Sequence, residues 1–314
     1  MSDLYLVTGG AGFIGSHIID ELLARGHRVR VLDNFSTGRR ENIVHVSDDI
    51  ELIEGDITSY ERVHNAAKGV DVVIHLAALP SVPRSIQDPL TTHQVNTTGT
   101  LNVLLAARDE GVRRVVIASS SSVYGANPLL PKREDMVLLP ISPYGVTKLA
   151  AERYCMAFSE VYGLETVALR YFNVFGPRQN PNSQYSAVIP KFVDMARSGQ
   201  RPVIYGDGSQ TRDFTYVRNV VEGTLAATSA PKASGHAMNV ACGVSSSVLD
   251  LVETIRQVLG VELPYDLEPT RIGDIKDSYA DISLARELLG FEPTVSLEQG
   301  IRLMTAWTEE GLAR

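Results

Sequence analysis

Short apolar runs alternate with longer amphipathic segments through the first half of the chain, and this order restricts the fold more than any other feature. Six runs predict buried strands: Leu4 to Val7, Arg28 to Leu32, Ile50 to Ile53, Val70 to Leu76, Arg113 to Ala118 and Thr166 to Leu169. Three amphipathic segments, each followed closely by a glycine, predict helices: Ile14 to Arg25, Thr91 to Arg108 and Tyr144 to Tyr162. The repeated order of strand, helix and strand predicts an α/β fold with a doubly wound parallel sheet.

Charge and cysteine content exclude several classes of protein. The 314 residues carry 29 Lys and Arg against 37 Asp and Glu, a net charge of −8 without a basic block, so nucleic-acid binding is not expected. Cys155 and Cys242 form neither a disulfide framework nor a Cys-x-x-Cys unit, which favours a reducing cytosol. No basic leader and no run of about 18 apolar residues is present, so we expect a cytoplasmic protein without membrane contact. The histidines are scattered and predict no metal site; His75 is interpreted as a core imidazole at a strand end.

A glycine-rich segment, Gly10-Ala-Gly12-Phe-Ile-Gly15, joins the first predicted strand to the first predicted helix. The Gly-x-Gly-x-x-Gly pattern requires this strand, turn and helix context to bind a dinucleotide. Small residues let the backbone approach the pyrophosphate, while the N–H groups and dipole of the new helix supply positive potential. The segment predicts a dinucleotide site of the Rossmann type.

Asp33 follows the second predicted strand. A carboxylate there can accept both hydroxyls of the adenosine ribose and repels a 2′-phosphate, which favours NAD over NADP. Arg39 and Arg40 follow soon after and could instead serve that phosphate. Asp56 and Ile57, after the third strand, are candidates for contact with the adenine, although Asp56 also fits an ordinary turn.

A serine run at residues 119–122 occupies the end of the fifth predicted strand, and Tyr144-x-x-x-Lys148 begins the following helix. Ligands gather at the carboxyl ends of strands in open parallel sheets. A spacing of four places Tyr144 and Lys148 on one helical face, so the ammonium can stabilise a phenolate and assist proton transfer. The alternative is an exposed tyrosine beside a solvated lysine, which the nearby serine run and dinucleotide loop disfavour.

At this point the chain resembles the extended short-chain dehydrogenase/reductases, specifically the UDP-hexose 4-epimerase family and most closely its UDP-N-acetylglucosamine 4-epimerases. The segments that carry the resemblance are Thr8 to Gly15, Leu32 to Asn34, Ser120 to Gly125, Tyr144 to Lys148 and Arg170 to Asn173. The resemblance covers nearly the whole chain.

The resemblance implies a division into domains and an assembly. We expect an NAD-binding Rossmann domain at 1–173 and a smaller α/β UDP-sugar-binding domain at 174–314, interleaved with the first around 212–244. A change to loops rich in Pro, Asn, Gln and Ser after residue 173 agrees with this border. The resemblance further implies a homodimer, joined by a four-helix bundle made from the helices at 91–108 and 144–162. In the alternative, the apolar stripes of these helices pack only on the sheet.

Individual roles also follow from the resemblance. Residues expected to contact NAD are Gly9, Gly12, Phe13, Ile14, Gly15, Asp33, Asn34, Asp56, Ile57, Leu76, Ala77, Ala78, Ser119, Tyr144 and Lys148. Residues expected to contact the UDP-sugar are Ser81, Arg84, Ser120, Ser121, Asn173, Ala187, Val188, Tyr205, Arg212, Arg271, Asp274 and Ser278. Among the latter, Asn173, Arg212 and Arg271 are expected near the diphosphate. Asp274 is expected on the ribose and Tyr205 on the uracil, although an aromatic at that spacing is as often plain core.

The type of reaction is predicted from the absence of an acidic residue just before Val-Tyr-Gly. Dehydratases and decarboxylases that resemble this chain carry Asp or Glu just before Val-Tyr-Gly, where this chain has Ser121 and Ser122. A 4-epimerase needs only hydride transfer and one proton transfer. By resemblance, Tyr144 removes the C4 hydroxyl proton, the C4 hydride passes to NAD, the 4-keto sugar turns and the hydride returns to the other face. Ser120 would bind the C4 oxygen, while Lys148 would hold the nicotinamide ribose and lower the pKa of Tyr144.

The sugar is predicted from further similarities. Segments at 79–85, 173–176, 180–182 and 187–190 look most like bacterial epimerases for UDP-N-acetylglucosamine and UDP-N-acetylgalactosamine. Ser278 stands where epimerases restricted to UDP-glucose and UDP-galactose carry a tyrosine, so the smaller side chain leaves room for an acetamido group. We predict the N-acetylated pair, with UDP-glucose and UDP-galactose as further substrates.

Two alternatives remain open from sequence. One is a UDP-glucuronate 4-epimerase or another nucleotide-sugar-modifying enzyme, although the glucuronate enzymes typically carry Thr where this chain has Asn173. The other is an NAD-sensing binding protein of the same fold without catalysis. Retention of Ser120, Tyr144 and Lys148 favours an enzyme.

Overall fold

Strands and helices alternate from the first residues, as the apolar pattern predicts. The computed structural model describes residues 2–180, 188–270 and 276–312. The strands, in chain order, are β1 (Leu4–Thr8), β2 (Arg28–Asp33), β3 (Ile50–Glu54), β4 (Val72–His75), β5 (Arg114–Ser120), β6 (Glu165–Tyr171), β7 (Val174–Phe175), β8 (Val203–Tyr205), β9 (Thr211–Arg212), β10 (Thr215–Tyr216), β11 (His236–Val240), β12 (Ser246–Ser247), β13 (Asp266–Glu268) and β14 (Asp277–Ser278). The helices are α1 (Phe13–Ala24), α2 (Tyr60–Ala67), α3 (Val82–Gln87), α4 (Pro89–His93), α5 (Gly99–Asp109), α6 (Pro143–Tyr162), α7 (Val188–Arg197), α8 (Val217–Ser229), α9 (Val248–Leu259), α10 (Ser283–Leu289) and α11 (Leu297–Leu312).

Seven strands form one sheet in the order β11-β6-β5-β4-β1-β2-β3, and every neighbouring pair is parallel. The central strands are buried along their length because helices cover both faces of the sheet. The apolar sides of α1 and α8 pack on one face, and those of α2, α5 and α6 pack on the other. The strand order reverses between β1 and β4, so a crevice opens there at the carboxyl ends of the strands. The predicted doubly wound α/β fold is confirmed.

The helix predicted at 91–108 is interrupted. A π-helical turn, Gln94–Thr98, separates α4 from α5. Such turns commonly occur at functional sites because they redirect a side chain out of the regular helical face. Here the turn carries Asn96, whose amide and carbonyl bond the backbone of Leu79 at 3.1 and 2.7 Å.

Helix α6 has clear start and stop signals. The Ser142 hydroxyl accepts a hydrogen bond from the Gly145 amide at 3.1 Å, and Pro143 occupies the first turn. The helix ends at Gly163, whose φ of 67° is a left-handed conformation that glycine adopts without strain. The bounds differ from the predicted helix by one residue, Pro143.

The second half of the chain builds short sheets beside the large one. Strands β12, β9 and β14 form one small sheet, while β10 pairs with β7 and β13 pairs with β8. Strand β11 returns to the edge of the large sheet, where it pairs with β6. Residues beyond 173 therefore contribute both to the large sheet and to the layer above its carboxyl edge.

Candidate active site

A cleft of about 710 Å³ lies at the carboxyl ends of the central strands, within the size range of small-molecule sites. The predicted cofactor residues that line it are Gly9, Gly12, Phe13, Ile14, Gly15, Asp33, Asn34, Ile57, Leu76, Ala77, Ala78, Ser119, Tyr144 and Lys148. The predicted substrate residues that line it are Ser81, Arg84, Ser120 and Asn173. Two sets predicted from separate parts of the sequence are thus brought together at one cleft.

The glycine loop between β1 and α1 has no room for side chains. A Cβ at Gly15 would lie 2.3 Å from the Gly9 carbonyl oxygen, and one at Gly9 would lie 2.7 Å from the Ala77 amide nitrogen. Gly9 also has a φ of 72°. Gly12, the residue before α1, has no side chain that could cap the first-turn amides, which leaves them for an anion in the cleft. The loop therefore fits the pyrophosphate of a dinucleotide.

Asp33 lies at the end of β2 on the wall of the cleft and is 6% exposed. Its carboxylate accepts hydrogen bonds from the amides of Ala11 and Phe35 at 2.9 and 2.8 Å. Burial raises the pKa of Asp33, while these two amide bonds oppose the rise. A fixed acceptor in this position fits the hydroxyls of an adenosine ribose.

The two arginines after β2 are engaged elsewhere. Arg40 pairs with Glu54 and stacks on Phe35, with its guanidinium carbon 4.0 Å from the ring centroid. Arg39 forms an ion pair with Glu41 at 3.4 Å. Both ion pairs are exposed to solvent, so the buried Asp33 carboxylate is the feature of this region that favours NAD over NADP.

Asp56 does not line the cleft, in contrast to its neighbour Ile57. Its carboxylate accepts hydrogen bonds from the Asn34 amide at 2.7 Å and from the Thr58 amide at 2.8 Å. Burial raises the pKa of Asp56, but the hydrogen bonds from Thr58 and Asn34 together outweigh burial, so the pKa is lowered. Asp56 thus closes a turn and orients Asn34, which does face the cleft.

Tyr144 and Lys148 project from one face of α6 toward the end of β5. The Lys148 ammonium lies 5.9 Å from the centroid of the Tyr144 ring and donates to the Ala118 carbonyl at 2.8 Å. The Ser120 hydroxyl shares a hydrogen bond with the Tyr144 phenol. Ser122 donates to the Ser120 oxygen at 2.9 Å, which leaves the Ser120 proton available for Tyr144.

Burial controls the charges at this end of the cleft. It raises the pKa of Tyr144, and the hydrogen bond from Ser120 opposes the rise. Burial also lowers the pKa of Lys148 to about 8, while the Glu152 carboxylate acts in the opposite direction. His75 lies nearby with its pKa lowered to about 3, first by burial and then by the charge of Lys148, so the imidazole is neutral. Burial thus opposes ionisation of the Tyr144 phenol.

His75 has the structural role predicted for it. Its two ring nitrogens bond the hydroxyls of Thr8 at 2.7 Å and Thr100 at 3.0 Å. Among the described residues, no group of three His, Cys, Asp or Glu side chains is arranged to hold a metal ion.

Ser81 and Arg84, at the start of α3, also line the cleft. Ser81 has a φ of 103°, a strained value for a residue with a side chain, and its hydroxyl caps α3 by accepting from the Arg84 amide at 3.3 Å. Asn173 lines the cleft with a φ of 32°, and its side-chain amide donates to the Asp213 carbonyl at 3.2 Å.

Other predicted substrate residues lie outside this lining. Arg212 and Ser278 are partners in the register of β9 and β14, and the Arg212 guanidinium donates to the Thr211 and Lys276 carbonyls at 2.8 and 2.9 Å. The remaining members of this group are Ser121 in the turn after β5, Val188 at the start of α7 and Tyr205 in β8. Ala187, Arg271 and Asp274 lie outside the described residues.

Sequence reasoning missed a second part of the lining. Ser36, Thr37 and Gly38 after β2 and Gln179 and Asn180 after β7 border the cleft. A Cβ at Gly38 would lie 2.9 Å from an Asp33 carboxylate oxygen, so this glycine allows the loop to approach the acid. Ser36, Thr37 and Gly38 closely follow a strand, and this position could have marked them as candidates. Gln179 and Asn180 reach the cleft only through the tertiary fold, which no local sequence pattern indicates.

Together, the fold and the cleft define a dinucleotide-dependent enzyme, with Tyr144 and Lys148 side by side in the lining of the cleft. The family model described as the NAD dependent epimerase/dehydratase family matches residues 5–241. The chain belongs to this family.

Similar proteins match along nearly the full length. The UDP-glucose 4-epimerase of Mycolicibacterium smegmatis is 41% identical over 300 residues, which cover 94% of this chain and 95% of that protein. A solved UDP-N-acetylglucosamine 4-epimerase from Methanobrevibacter ruminantium, in complex with UDP-N-acetylmuramic acid, has a TM-score of 0.94 and 40% identity, with 99% of both chains covered. The Thermus thermophilus UDP-glucose 4-epimerase, in complex with NAD, has a TM-score of 0.88 and 35% identity over 96% of this chain and 98% of that one.

These findings confirm three predictions: the resemblance to the UDP-hexose 4-epimerase family, the assignment as an enzyme and the use of NAD. In the parts of the chain that the structure describes, no helix combines the length and the apolar character that crossing a bilayer requires.

Proposed function

We propose that this protein is a UDP-sugar 4-epimerase that interconverts UDP-N-acetylglucosamine and UDP-N-acetylgalactosamine, with UDP-glucose and UDP-galactose as further substrates. The observation that carries the proposal is the meeting of Ser120, Tyr144 and Lys148 at the same cleft as the dinucleotide loop. Ser121 and Ser122, in the turn after β5, provide no second acid for elimination or decarboxylation.

The chain's own residues would move the proton. When bound, NAD supplies a hydride acceptor and donor for C4 of the sugar, and its positive charge adds to that of Lys148. Tyr144 takes the proton of the C4 hydroxyl and later returns it to the C4 oxygen. Ser120, already hydrogen-bonded to the phenol, holds that oxygen during both transfers. Inversion requires the sugar to present its other face to the nicotinamide between the two hydride transfers.

We assign the diphosphate to the layer above the sheet. Arg212 and Asn173 would supply a guanidinium and an amide, and Arg271 would add a second guanidinium near the phosphates. Asp274 would bind the ribose hydroxyls. Ser278, beside Arg212 in the register, is the proposed gate for the acetamido group. We also propose the domains 1–173 and 174–314, and the return of β11 to the large sheet supports interleaving around 212–244.

The homodimer is supported by the outer face of α6. Val146, Tyr154 and Val161 are 52%, 36% and 68% exposed, although all are apolar or aromatic. They align with Ala150 and Ala157 in one stripe, on a different side of the helix from the α6 side chains that pack on the sheet. A stripe left uncovered by the sheet fits the proposed four-helix bundle with a second copy.

The test is to incubate the purified protein, without added reductant, with UDP-N-acetylglucosamine, UDP-glucose and UDP-glucuronate separately and to identify the products by NMR. We expect the C4 epimer from the first two sugars and the faster reaction with the N-acetylated one. Tyr144→Phe should keep NAD bound and lower turnover at least 10²-fold, because general acid–base groups typically contribute 10² to 10⁴. Turnover of Tyr144→Phe within tenfold of wild type, or conversion of UDP-glucuronate alone, would reject the proposal.

A further inference from the structure

A buried ion pair lies behind the proton-transfer residues. Glu152 is 2% exposed and Arg170 is 3% exposed. The arginine Nε and Nη2 atoms donate to the two carboxylate oxygens, each at 2.9 Å. Arg170 also donates to the Tyr124 hydroxyl at 2.8 Å, which in turn donates to Asn239 on β11 at 2.7 Å. The pair is therefore held rigidly from β6 and from the edge of the sheet.

The carboxylate of Glu152 also accepts a hydrogen bond from a residue that lines the cleft. The Ser119 hydroxyl donates to it, and Ser119 immediately precedes Ser120 in β5. One turn earlier on α6, Lys148 donates to the Ala118 carbonyl. Two side chains of α6 thus hold consecutive residues of β5 just before Ser120.

Glu152 also contributes charge. Tyr144, Lys148 and Glu152 follow one another at intervals of four on one face of α6. The groups that face the Lys148 ammonium are Tyr144 and Glu152 from its own helix and the neutral His75 from β4, with Arg170 of β6 behind Glu152. The Glu152 carboxylate is therefore the negative charge that opposes the loss of the Lys148 proton on burial.

Stability alone does not explain such a pair. Replacing a buried ion pair by well-packed apolar side chains is often neutral or stabilising, because the two charges must lose their hydration. The hydrogen bond from Ser119 to Glu152 and the position of Glu152 one turn after Lys148 instead suggest a role that involves the proton-transfer residues.

We propose that Glu152 is a positioning residue for the reaction: anchored by Arg170, it fixes the end of β5 beside Ser120 and keeps Lys148 in its ammonium form. This inference rests on the proposed function, because the step that it serves is the proton transfer by Tyr144.

The direct test follows Lys148 itself. The chain has six lysines, so a protein labelled with ¹³C at the lysine Cε gives few signals, and Lys148→Met assigns the relevant one. We expect Glu152→Gln to lower the titration midpoint of Lys148 by about one pH unit, since a nearby opposite charge shifts a pKa by about 1 to 3. Glu152→Asp retains the charge and should return the midpoint close to that of wild type.

Thr166→Val is the matched control. The Thr166 hydroxyl donates to the Cys155 carbonyl at 2.8 Å, so this substitution also removes a buried bond between β6 and α6, but away from Lys148. It should lower the melting temperature and leave the Lys148 midpoint unchanged. An unchanged midpoint in Glu152→Gln, or an equal change in Thr166→Val or Glu152→Asp, would overturn the assignment of charge to Glu152.

Turnover gives the second readout. We expect Glu152→Gln to lower kcat about tenfold with KM within about threefold, because misplacement of reacting groups affects the chemical step. If Glu152→Gln fails to fold, Ser119→Ala takes its place, since it removes the hydrogen bond to Glu152 and keeps both charges. Because Ser119 also lines the cofactor cleft, kcat is expressed per bound NAD. Ser119→Ala should lower kcat several-fold and leave the titration midpoint of Lys148 unchanged. An unchanged kcat would overturn the claim that Glu152 fixes the end of β5 beside Ser120. A wild-type protein without epimerase activity would reject the proposed function and still leave the lysine titration readable.

Discussion

The protonation state of Lys148 depends on its burial in the cleft, and the proposed reaction depends on that protonation state. Its pKa of about 8 lies below the usual lysine value because burial disfavours the ammonium, with Glu152 acting against this effect. The ammonium is present below that pH and is lost as the pH rises through it. A step that needs the ammonium beside Tyr144 must therefore weaken in alkaline solution.

We accordingly expect kcat to fall as the pH rises above about 8. The measurement is a series of kcat values between about pH 6 and 10, made with saturating UDP-N-acetylglucosamine. Lys148→Arg is the control, since a guanidinium stays charged over this range. It should lower the overall rate and remove the alkaline decline. The same decline in Lys148→Arg would assign it to another group.

Ser278 is the residue for which we expect an effect on substrate choice. It lies in β14 as the register partner of Arg212, which we assign to the diphosphate. Ser278→Tyr should fill space near the sugar and reduce kcat/KM for UDP-N-acetylglucosamine more than for UDP-glucose. Ser278→Ala should preserve the ratio of the two values. Equal losses for both sugars in Ser278→Tyr would remove Ser278 as the gate.

Short-range patterns in the sequence were sufficient to find Tyr144, Lys148 and Asp33, because each follows a strand or begins a helix at a spacing set by helix and sheet geometry. They were not sufficient for Glu152. Its importance depends on Arg170, which lies on another element and meets it only after the sheet forms.

The glycine loop between β1 and α1 depends on the close approach of its backbone to neighbouring segments. An alanine within a helix is ordinarily favoured over glycine by up to about 1 kcal/mol. At Gly15 the added Cβ would lie 2.3 Å from the Gly9 carbonyl oxygen, so the loop must move. The steric conflict outweighs the gain in helix propensity.

Gly15→Ala should therefore yield protein with little bound NAD, measured from the cofactor released on denaturation. Gly111→Ala is the control. Gly111 also has a positive φ, 69°, but a Cβ there would meet open space, so it should cost about 1 kcal/mol of stability and leave the NAD content unchanged. Full NAD occupancy in Gly15→Ala would contradict the fit of the loop to the pyrophosphate.

The six strands of the first half and the helices α1 and α6 were predictable because their apolar periods specify them directly, whereas α2 and α3 were not predicted. The π-helical turn at Gln94–Thr98 was not predictable, since the apolar pattern of 91–108 continues through it. Its Asn96 bonds Leu79, a contact between elements that the local pattern does not encode.

At the scale of the whole molecule, segments from the second half of the chain pair with strands that are distant in sequence. Strand β11 follows the small sheet elements β9 and β10 in the chain yet completes the large sheet. A border at residue 173 therefore marks a change in sequence composition, but it does not separate the chain into two structurally independent domains. The placement of Arg212 and Ser278 side by side likewise depends on the pairing of β9 with β14, segments more than 60 residues apart.

We expect the protein to sediment at twice the mass of one chain. The exposed stripe on α6 is the proposed contact, so the double substitution of Tyr154 and Val161 by Glu should give a monomer in analytical ultracentrifugation. Leu303→Glu is the control, because Leu303 is also an exposed apolar residue, 47%, but lies on α11. A monomeric wild type, or a double variant that remains dimeric, would contradict the proposed bundle.

The most direct test follows the hydrogen at C4 of the sugar. UDP-N-acetylglucosamine that carries deuterium at C4 is incubated with the wild-type protein in ordinary water, and the epimer is analysed by mass spectrometry and NMR. We predict that the product keeps its deuterium, because the hydride leaves and returns within the cleft while only the hydroxyl proton passes through Tyr144. Loss of the deuterium to solvent, or no epimer at all, would contradict this account.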